Sequence, residues 1–121
     1  MGIKNKPWDI HERIYQFVID VLKFLKKVPR TPENLIIIQQ LTKSVTSMGA
    51  NDQEADGTDS ARDFVSKYAI VRKEGKESNY WLRVIFDTNI DLQTLMNDLR
   101  QEGKEIVKIV STIILNTKRK K

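Results

Sequence analysis

The chain has 121 residues, of which 40% are hydrophobic and 31% charged, and it contains no cysteine. This balance excludes a disordered chain of low hydrophobicity, and the lack of cysteine excludes disulfides, thiolate nucleophiles and cysteine-based metal sites. The formal net charge is +5, but the four tail residues 118–121 are all basic, so the rest of the chain is nearly neutral. The length predicts a single domain over residues 1–121.

No segment is apolar enough to cross a membrane. The longest uninterrupted apolar run covers residues 35–38, far below the roughly 18 residues needed to span a bilayer. Residues 1–9 lack the apolar stretch of a secretory signal. We therefore expect no membrane partner and a cytoplasmic location.

Two amphipathic helices are predicted in the first half of the chain. The first covers residues 7–28, opening at Pro7 and Trp8 and stopped by Pro29. The second covers residues 32–55, with Thr31 as its N-cap and a proline in its first turn.

Two further helices are predicted after a clear break. Gly57 is the expected residue beyond the second helix, and Thr58 or Asp59 is the expected cap of the third, which covers residues 60–88. Asp91 is predicted to cap the fourth helix, residues 92–117, which precedes the basic tail. With no strand-like alternation, four such segments predict an all-α, antiparallel up-down four-helix bundle.

Gly75 lies inside the third helix, where glycine costs about 1 kcal/mol relative to alanine. With the small Ser78 it would form a notch for a neighbouring helix, and a neutral surface glycine is an equal alternative. Beside Gly75, the same helix carries a stripe of charged and apolar residues at helical spacing. This stripe is either a solvated charged face or a half-buried polar strip at a subunit interface, and it comprises Lys67, Ile70, Glu74, Glu77 and Trp81.

Three segments together carry a family pattern. They read T-S-M-G-A-N-D-Q-E-A at 46–55, D-F-V-S-K at 63–67 and K-E-G-K-E-S-N-Y-W-L at 73–82. Their order and spacing resemble the bacterial four-helix bundle family, also called the 23S rRNA intervening-sequence protein family. The chain departs from the pattern at Gly75, where members often carry alanine.

The resemblance implies a homopentameric ring of four-helix bundles without catalytic activity or cofactor. It also implies kinship with the accessory variability protein of diversity-generating retroelements, which binds a reverse transcriptase and nucleic acid. RNA or DNA, a reverse transcriptase and further copies of this chain are thus the expected partners. The matched positions are expected to serve helix-two to helix-three packing and subunit contacts: Ser47, Asn51, Glu54, Phe64, Lys67, Lys73, Glu74, Glu77, Tyr80 and Trp81.

A carboxylate-bridged metal enzyme is a less favoured alternative. Di-metal bundle sites use Glu-x-x-His, whereas Glu74-x-x-Glu77 and Glu102-x-x-Glu105 lack the histidine. The single histidine, His11, is expected at the solvated surface. No catalytic triad and no phosphate-binding glycine loop are recognisable. We therefore assign no catalytic, metal-binding or cofactor-binding residue.

Basic residues near the C-terminus are the candidate nucleic-acid contacts. They are Arg100, Lys104 and Lys108 on the polar side of the fourth helix, and the tail residues Lys118, Arg119, Lys120 and Lys121. Their charges would neutralise phosphates, and several copies in a ring would raise the avidity. Aromatic residues occur at helix-packing spacing, so binding is expected to be electrostatic. The alternative is a protein scaffold with a solubilising tail.

Overall fold

The computed structural model describes residues 9–120. These residues form four helices and a short 3-10 helix, Ile90–Leu92: α1 (Ile10–Leu25), α2 (Pro32–Asp56), α3 (Ala61–Thr88) and α4 (Gln93–Arg119). Each helix packs on the next in sequence, and α1 also packs on α4. The predicted all-α four-helix bundle is therefore confirmed, and no strand occurs within residues 9–120.

Side-chain caps fix the starts of the first three helices. Asp9 accepts a hydrogen bond from the Glu12 amide, and Thr31 accepts one from the Asn34 amide ahead of Pro32. Such caps satisfy amides that have no partner within the helix.

The first helix is shorter than predicted. It ends at Leu25 because the amides of Lys27 and Val28 bond to carbonyls three residues back, which forms a tighter turn. The residue before a proline is also disfavoured in helical geometry, and here that proline is Pro29. Val28 nevertheless stays buried. Pro7 and Trp8 lie outside the described residues.

The predicted cap of α3 is wrong. Ser60, rather than Thr58 or Asp59, caps α3 by accepting from the Asp63 amide at 3.1 Å. The Thr58 hydroxyl instead donates to a carbonyl at the end of α2. Gly57 is a C-cap with φ −98°, so this turn needs no left-handed residue.

The start and end of α4 also differ from the prediction. No side chain caps α4, because residues 90–92 form the 3-10 turn and Leu92 occupies the N-cap position, so Asp91 is not a cap. At the other end, Lys118 and Arg119 belong to the last helical turn and Lys120 is the C-cap. The positive charges of these side chains interact favourably with the negative end of the helix dipole. Lys121 lies outside the described residues.

Apolar side chains from all four helices fill the interior. Its largest fully buried members are Tyr68, Phe17, Ile14, Leu41, Met48, Leu82, Ile85, Met96 and Ile106. Burying one such side chain stabilises the fold by roughly 1.5–3 kcal/mol.

The interpretation of Gly75 as a notch, rather than a surface glycine, is confirmed. Gly75 is buried, and a Cβ there would lie 3.0 Å from the Val107 side chain and 3.4 Å from that of Met48. The neighbouring Ser78 is fully buried and shares a 2.8 Å hydrogen bond with Ser44. Small residues thus let α3 approach both α2 and α4 closely.

Candidate functional site

Most of the family-pattern residues, together with the apolar Ile70, lie on the side of the bundle where α2 meets α3, and we call this surface the signature seam. It comprises Ser47, Asn51 and Glu54 on α2 and Lys67, Ile70, Glu74, Glu77 and Trp81 on α3. Lys67 Nζ joins the two helices through a 2.6 Å contact with Glu54 Oε1. Asn51 turns back to its own helix, donating to the Ser47 carbonyl at 2.9 Å.

The α3 part of the seam contains polar groups without a partner in residues 9–120. Glu74 and Glu77 are half-buried. Trp81 Nε1 is buried and has no acceptor within the described part of the chain. Buried polar groups are normally paired, so this edge has unused hydrogen-bonding capacity.

The remaining pattern residues have separate environments. The Tyr80 ring packs edge-on against Trp81 at 4.9 Å, and the side chain is 56% exposed. Phe64 is half-buried on Tyr68, with ring centroids 4.5 Å apart. Lys73 is exposed. Among these residues, Tyr80 and Lys73 are available to a partner.

A buried polar cluster behind the seam was missed by the sequence reasoning. Asp52 is 1% exposed and accepts a 2.6 Å hydrogen bond from the Tyr68 hydroxyl. His11 Nδ1 lies 2.9 Å from the same carboxylate oxygen, and His11 Nε2 lies 3.5 Å from Asp56. His11 is 35% exposed, so the expectation of a solvated surface residue is correct only in part, because one ring nitrogen meets the buried Asp52 carboxylate.

The cluster places Tyr68 in an environment that strongly disfavours its ionised form. Burial is the main cause that raises the Tyr68 pKa, and the hydrogen bond to Asp52 raises it further. The phenol therefore stays a donor at neutral pH. One signal for this cluster was available in the sequence, because Asp52 follows Met48 by four residues and so falls on the apolar stripe of α2.

The carboxylates of Glu102 and Glu105 bind an arginine. Arg13 on α1 contacts Glu102 at 2.6 Å and Glu105 at 3.0 Å, which joins α1 to α4. The hydrogen bond to Glu102 is the main cause that raises the Arg13 pKa. The Glu105 pKa is lowered first by Gln101 and then by Arg13. Within residues 9–120, no group of three or more acidic, histidine or cysteine side chains could hold a metal ion.

A basic face runs along the outside of α3 and α4. Two contacts define its orientation: the Asn79 amide donates to the Gly103 carbonyl at 3.1 Å, and the Arg100 guanidinium lies 4.5 Å from the Phe86 ring centroid. Lys104 and Lys108 follow Arg100 at one-turn steps and are exposed. The last turn of α4 adds exposed Lys118 and Arg119, followed by Lys120.

Sequence reasoning missed the contribution of α3 to this face. Three basic residues are spaced from Asn79 by whole helical turns and so lie on the side of α3 that meets α4. Arg72 and Lys76 precede Asn79 by seven and three residues, and Arg83 follows it by four. Asp87, near Arg83 at 3.8 Å, is the acidic group on this part of α3. The basic face is defined here as Arg72, Lys76 and Arg83 together with Arg100, Lys104, Lys108, Lys118 and Arg119. Lys120, the C-cap of α4, lies beyond this face.

No helix within residues 9–120 is both long and apolar enough to cross a membrane.

Comparison with known proteins gives two positive findings. A sequence profile described as the 23S rRNA-intervening sequence protein matches residues 6–112. A crystal structure of a protein of unknown function from the S23 ribosomal protein family of Bacteroides thetaiotaomicron VPI-5482 is similar, with a TM-score of 0.79 and 26% sequence identity. The alignment covers 88% of this chain and 98% of that chain. No curated protein matches significantly.

Proposed function

The chain belongs to the 23S rRNA-intervening sequence protein family, and on that premise we propose that it is a non-catalytic, self-assembling accessory protein that binds nucleic acid. The names of the family and of the S23 ribosomal neighbour support RNA as the first partner to test. The proposed location is the cytoplasm, where ribosomal RNA is found.

The basic face is the single observation that carries the proposal. The chain outside the tail is nearly neutral, yet positive side chains of α3 and α4 converge on one side, while the acidic residues Glu102 and Glu105 face α1. Such a concentration of charge attracts phosphates and releases counterions when they bind. The local excess of positive charge, and not the net charge, makes this protein suited to a polyanion.

Binding through this face should depend on charge and little on base sequence. The Phe86 ring is covered by Arg100. The exposed Tyr80 borders the basic face, since it lies one turn from Lys76 and Arg83, and its ring packs edge-on against Trp81. A single ring at the edge offers little stacking surface, so phosphates supply most of the affinity. We therefore expect affinity to fall steeply as salt rises.

A pair of triple variants tests the face. Lys76→Gln/Lys104→Gln/Lys108→Gln removes three charges from the basic face, whereas Lys23→Gln/Lys26→Gln/Lys27→Gln removes three exposed charges near the end of α1. Mobility-shift titrations with a structured RNA at two salt concentrations should show at least a tenfold loss for the first variant and a small loss for the second.

Equal losses in both variants would contradict a specific face and indicate general electrostatic attraction. Removing residues 118–121 in a third variant measures the contribution of the tail. Binding that salt does not weaken would also contradict the proposal.

We propose in addition that the chain assembles with copies of itself, as a homopentameric ring, through the signature seam. The half-buried Glu74 and Glu77 support this, because a neighbouring subunit can supply hydrogen-bond donors to their carboxylates. Light scattering of Glu74→Ala and Glu77→Ala variants tests it. An unchanged particle mass in both would contradict a role of these carboxylates in assembly.

A protein scaffold without nucleic acid is the second candidate. The exposed Tyr80, which packs on Trp81, and the exposed Leu35 and Ile36 on α2 favour contacts with protein. A reverse transcriptase is the proposed protein partner in that case. Co-purification with a reverse transcriptase, combined with no shift of any RNA or DNA, would favour this candidate.

A further inference from the structure

The cations of the basic face form two rows on neighbouring helices. We name the rows by helix: the α3 row is Arg72, Lys76 and Arg83, and the α4 row is Arg100, Lys104 and Lys108. Members four residues apart lie one above the other, at steps of about 6 Å along the helix. Each helix therefore presents a line of positive charge.

The antiparallel register of α3 and α4 makes the charges of the two rows interleave. Two contacts set this register: the Asn79 amide donates to the Gly103 carbonyl, and Gly75 lies beside Val107. Along the bundle, the levels of the cations then follow the order Arg72, Lys108, Lys76, Lys104, Arg100 and Arg83. Together these charges occupy about 17 Å of the length of the bundle.

Small residues bring the two rows close together. Gly75 and Gly103 are buried where α3 meets α4, and a Cβ at Gly103 would collide with the Asn79 side chain. The axes of packed helices lie about 8–10 Å apart. The two rows therefore run side by side on one surface of the bundle.

Few acidic side chains border the rows within residues 9–120. Asp87 lies 3.8 Å from Arg83, at one end of the α3 row. Glu105 lies one turn before Lys108, but its carboxylate is already paired with Arg13 at 3.0 Å. Most of the positive charge of both rows is therefore available to an anionic ligand.

Two lines of positive charge match a ligand that has two lines of phosphates. A double helix has one such line on each side of a groove, whereas a single strand has only one line. In A-form RNA the major groove is deep and narrow, so the phosphates of its two strands lie close together across it. Rows on helices whose axes are about 8–10 Å apart can contact both strands at once.

The same face offers a single strand little beyond charge. Proteins that bind single strands combine a basic groove with aromatic side chains on which the bases stack. Here the Phe86 ring is covered by Arg100, and Tyr80 at the border packs against Trp81. A duplex keeps its bases stacked inside itself, so contacts with phosphates are sufficient to bind it.

We infer that the basic face binds double-stranded RNA, with the α3 row on the phosphates of one strand and the α4 row on those of the other, across the major groove. This inference rests on the proposed nucleic-acid function and adds to it the class of ligand. A single strand follows only one row at a time and so uses about half of the charges. Duplex binding should therefore be tighter and depend more steeply on salt.

Titrations of the wild-type chain with three matched ligands test the class of ligand. Fluorescence anisotropy compares a short RNA duplex, one of its strands alone, and a DNA duplex of the same sequence and length. The RNA duplex should bind at least about tenfold more tightly than the single strand. The DNA duplex should bind more weakly than the RNA duplex, because the major groove of B-DNA is about 12 Å wide and separates the phosphates of its strands.

Double variants test whether both rows are used. Each removes two positive charges, from the α3 row, from the α4 row or, as a control, from the end of α1: Arg72→Gln/Lys76→Gln, Lys104→Gln/Lys108→Gln and Lys26→Gln/Lys27→Gln. Either row variant should weaken duplex binding at least about tenfold and lower the salt slope by about two. Single-strand binding should fall less than about threefold, because the other row remains. The control should change neither, and circular dichroism should be the same for all three.

The inference and the proposed function fail separately. A single strand bound as tightly as the RNA duplex, or a folded α3-row variant with wild-type affinity for the duplex, would overturn the inference. A DNA duplex bound as tightly as the RNA duplex would overturn the assignment to RNA. In each of these cases the proposed nucleic-acid function would stand, whereas a wild-type chain that binds none of the three ligands would overturn that function as well.

Discussion

Two polar clusters include residues from the first turns of α1 and lie on opposite sides of that helix. His11, 35% exposed, points to α2 and α3, where Asp52 is 1% exposed. Arg13, 12% exposed, points to α4, where Glu102 and Glu105 are 33% and 47% exposed. Both clusters tie the same helix to the bundle. They differ in how much water reaches the carboxylates.

This difference decides what each cluster contributes to stability. When one member of a buried polar cluster is removed, the groups that remain lose their hydrogen bonds in a medium of low polarity. Exposed ion pairs regain water when they break, and salt screens them. We therefore expect the Asp52 cluster to be sensitive to substitution and the Arg13 cluster to be tolerant.

Replacing Asp52 with alanine should have the largest effect. The change leaves the buried Tyr68 hydroxyl without its acceptor and His11 without its nearest partner, and the expected loss of unfolding free energy is about 3 kcal/mol. Urea denaturation followed by circular dichroism measures it. Asp56→Ala is the control, since Asp56 is exposed one turn later, and it should change little. Similar losses for both variants would contradict the comparison.

Replacing Tyr68 with phenylalanine should have an intermediate effect of about 1–2 kcal/mol at neutral pH. Because burial raises the Tyr68 pKa, the unfolded chain releases this proton at a lower pH than the folded chain. The contribution is thus complete below the ordinary tyrosine pKa of about 10 and declines as the pH rises above it.

Thermal unfolding between neutral and alkaline pH checks the sign of this linkage. The wild type should lose stability above the ordinary tyrosine pKa more steeply than Tyr68→Phe. Tyr80→Phe, at an exposed position, should keep the wild-type slope. Parallel alkaline slopes for the wild type and Tyr68→Phe would contradict burial as the cause.

Replacing Arg13 with glutamine should have the smallest effect, about 0.5–1 kcal/mol at low salt and less at high salt. The lowered Glu105 pKa adds stability that is present above the ordinary glutamate value and is lost as the pH falls through the lowered one. Arg13→Gln should therefore flatten the acid side of the stability profile. A loss larger than that of Tyr68→Phe, independent of salt, would reverse the comparison.

Features of the candidate site that lie within one helix were predictable from the sequence, and features that join two helices were not. The stripe with Lys67, Glu74 and Trp81 was visible in the sequence because it obeys the period of one helix. The pairing of Lys67 with Glu54 and the convergence of Lys76 with Lys104 were not, because each joins two helices. The contact of His11 with Asp52 was missed for this reason, since Asp52 is distant in sequence.

Four helices around an apolar interior follow from local patterns in the sequence, because helical period and proline breaks act within a few residues. Which helix faces meet depends on the folded bundle. That choice buried Asp52, put Gly75 beside Val107 and assembled one basic face from α3 and α4. The physical reason is that side-chain packing between helices remote in sequence sets their register, and no local pattern contains it.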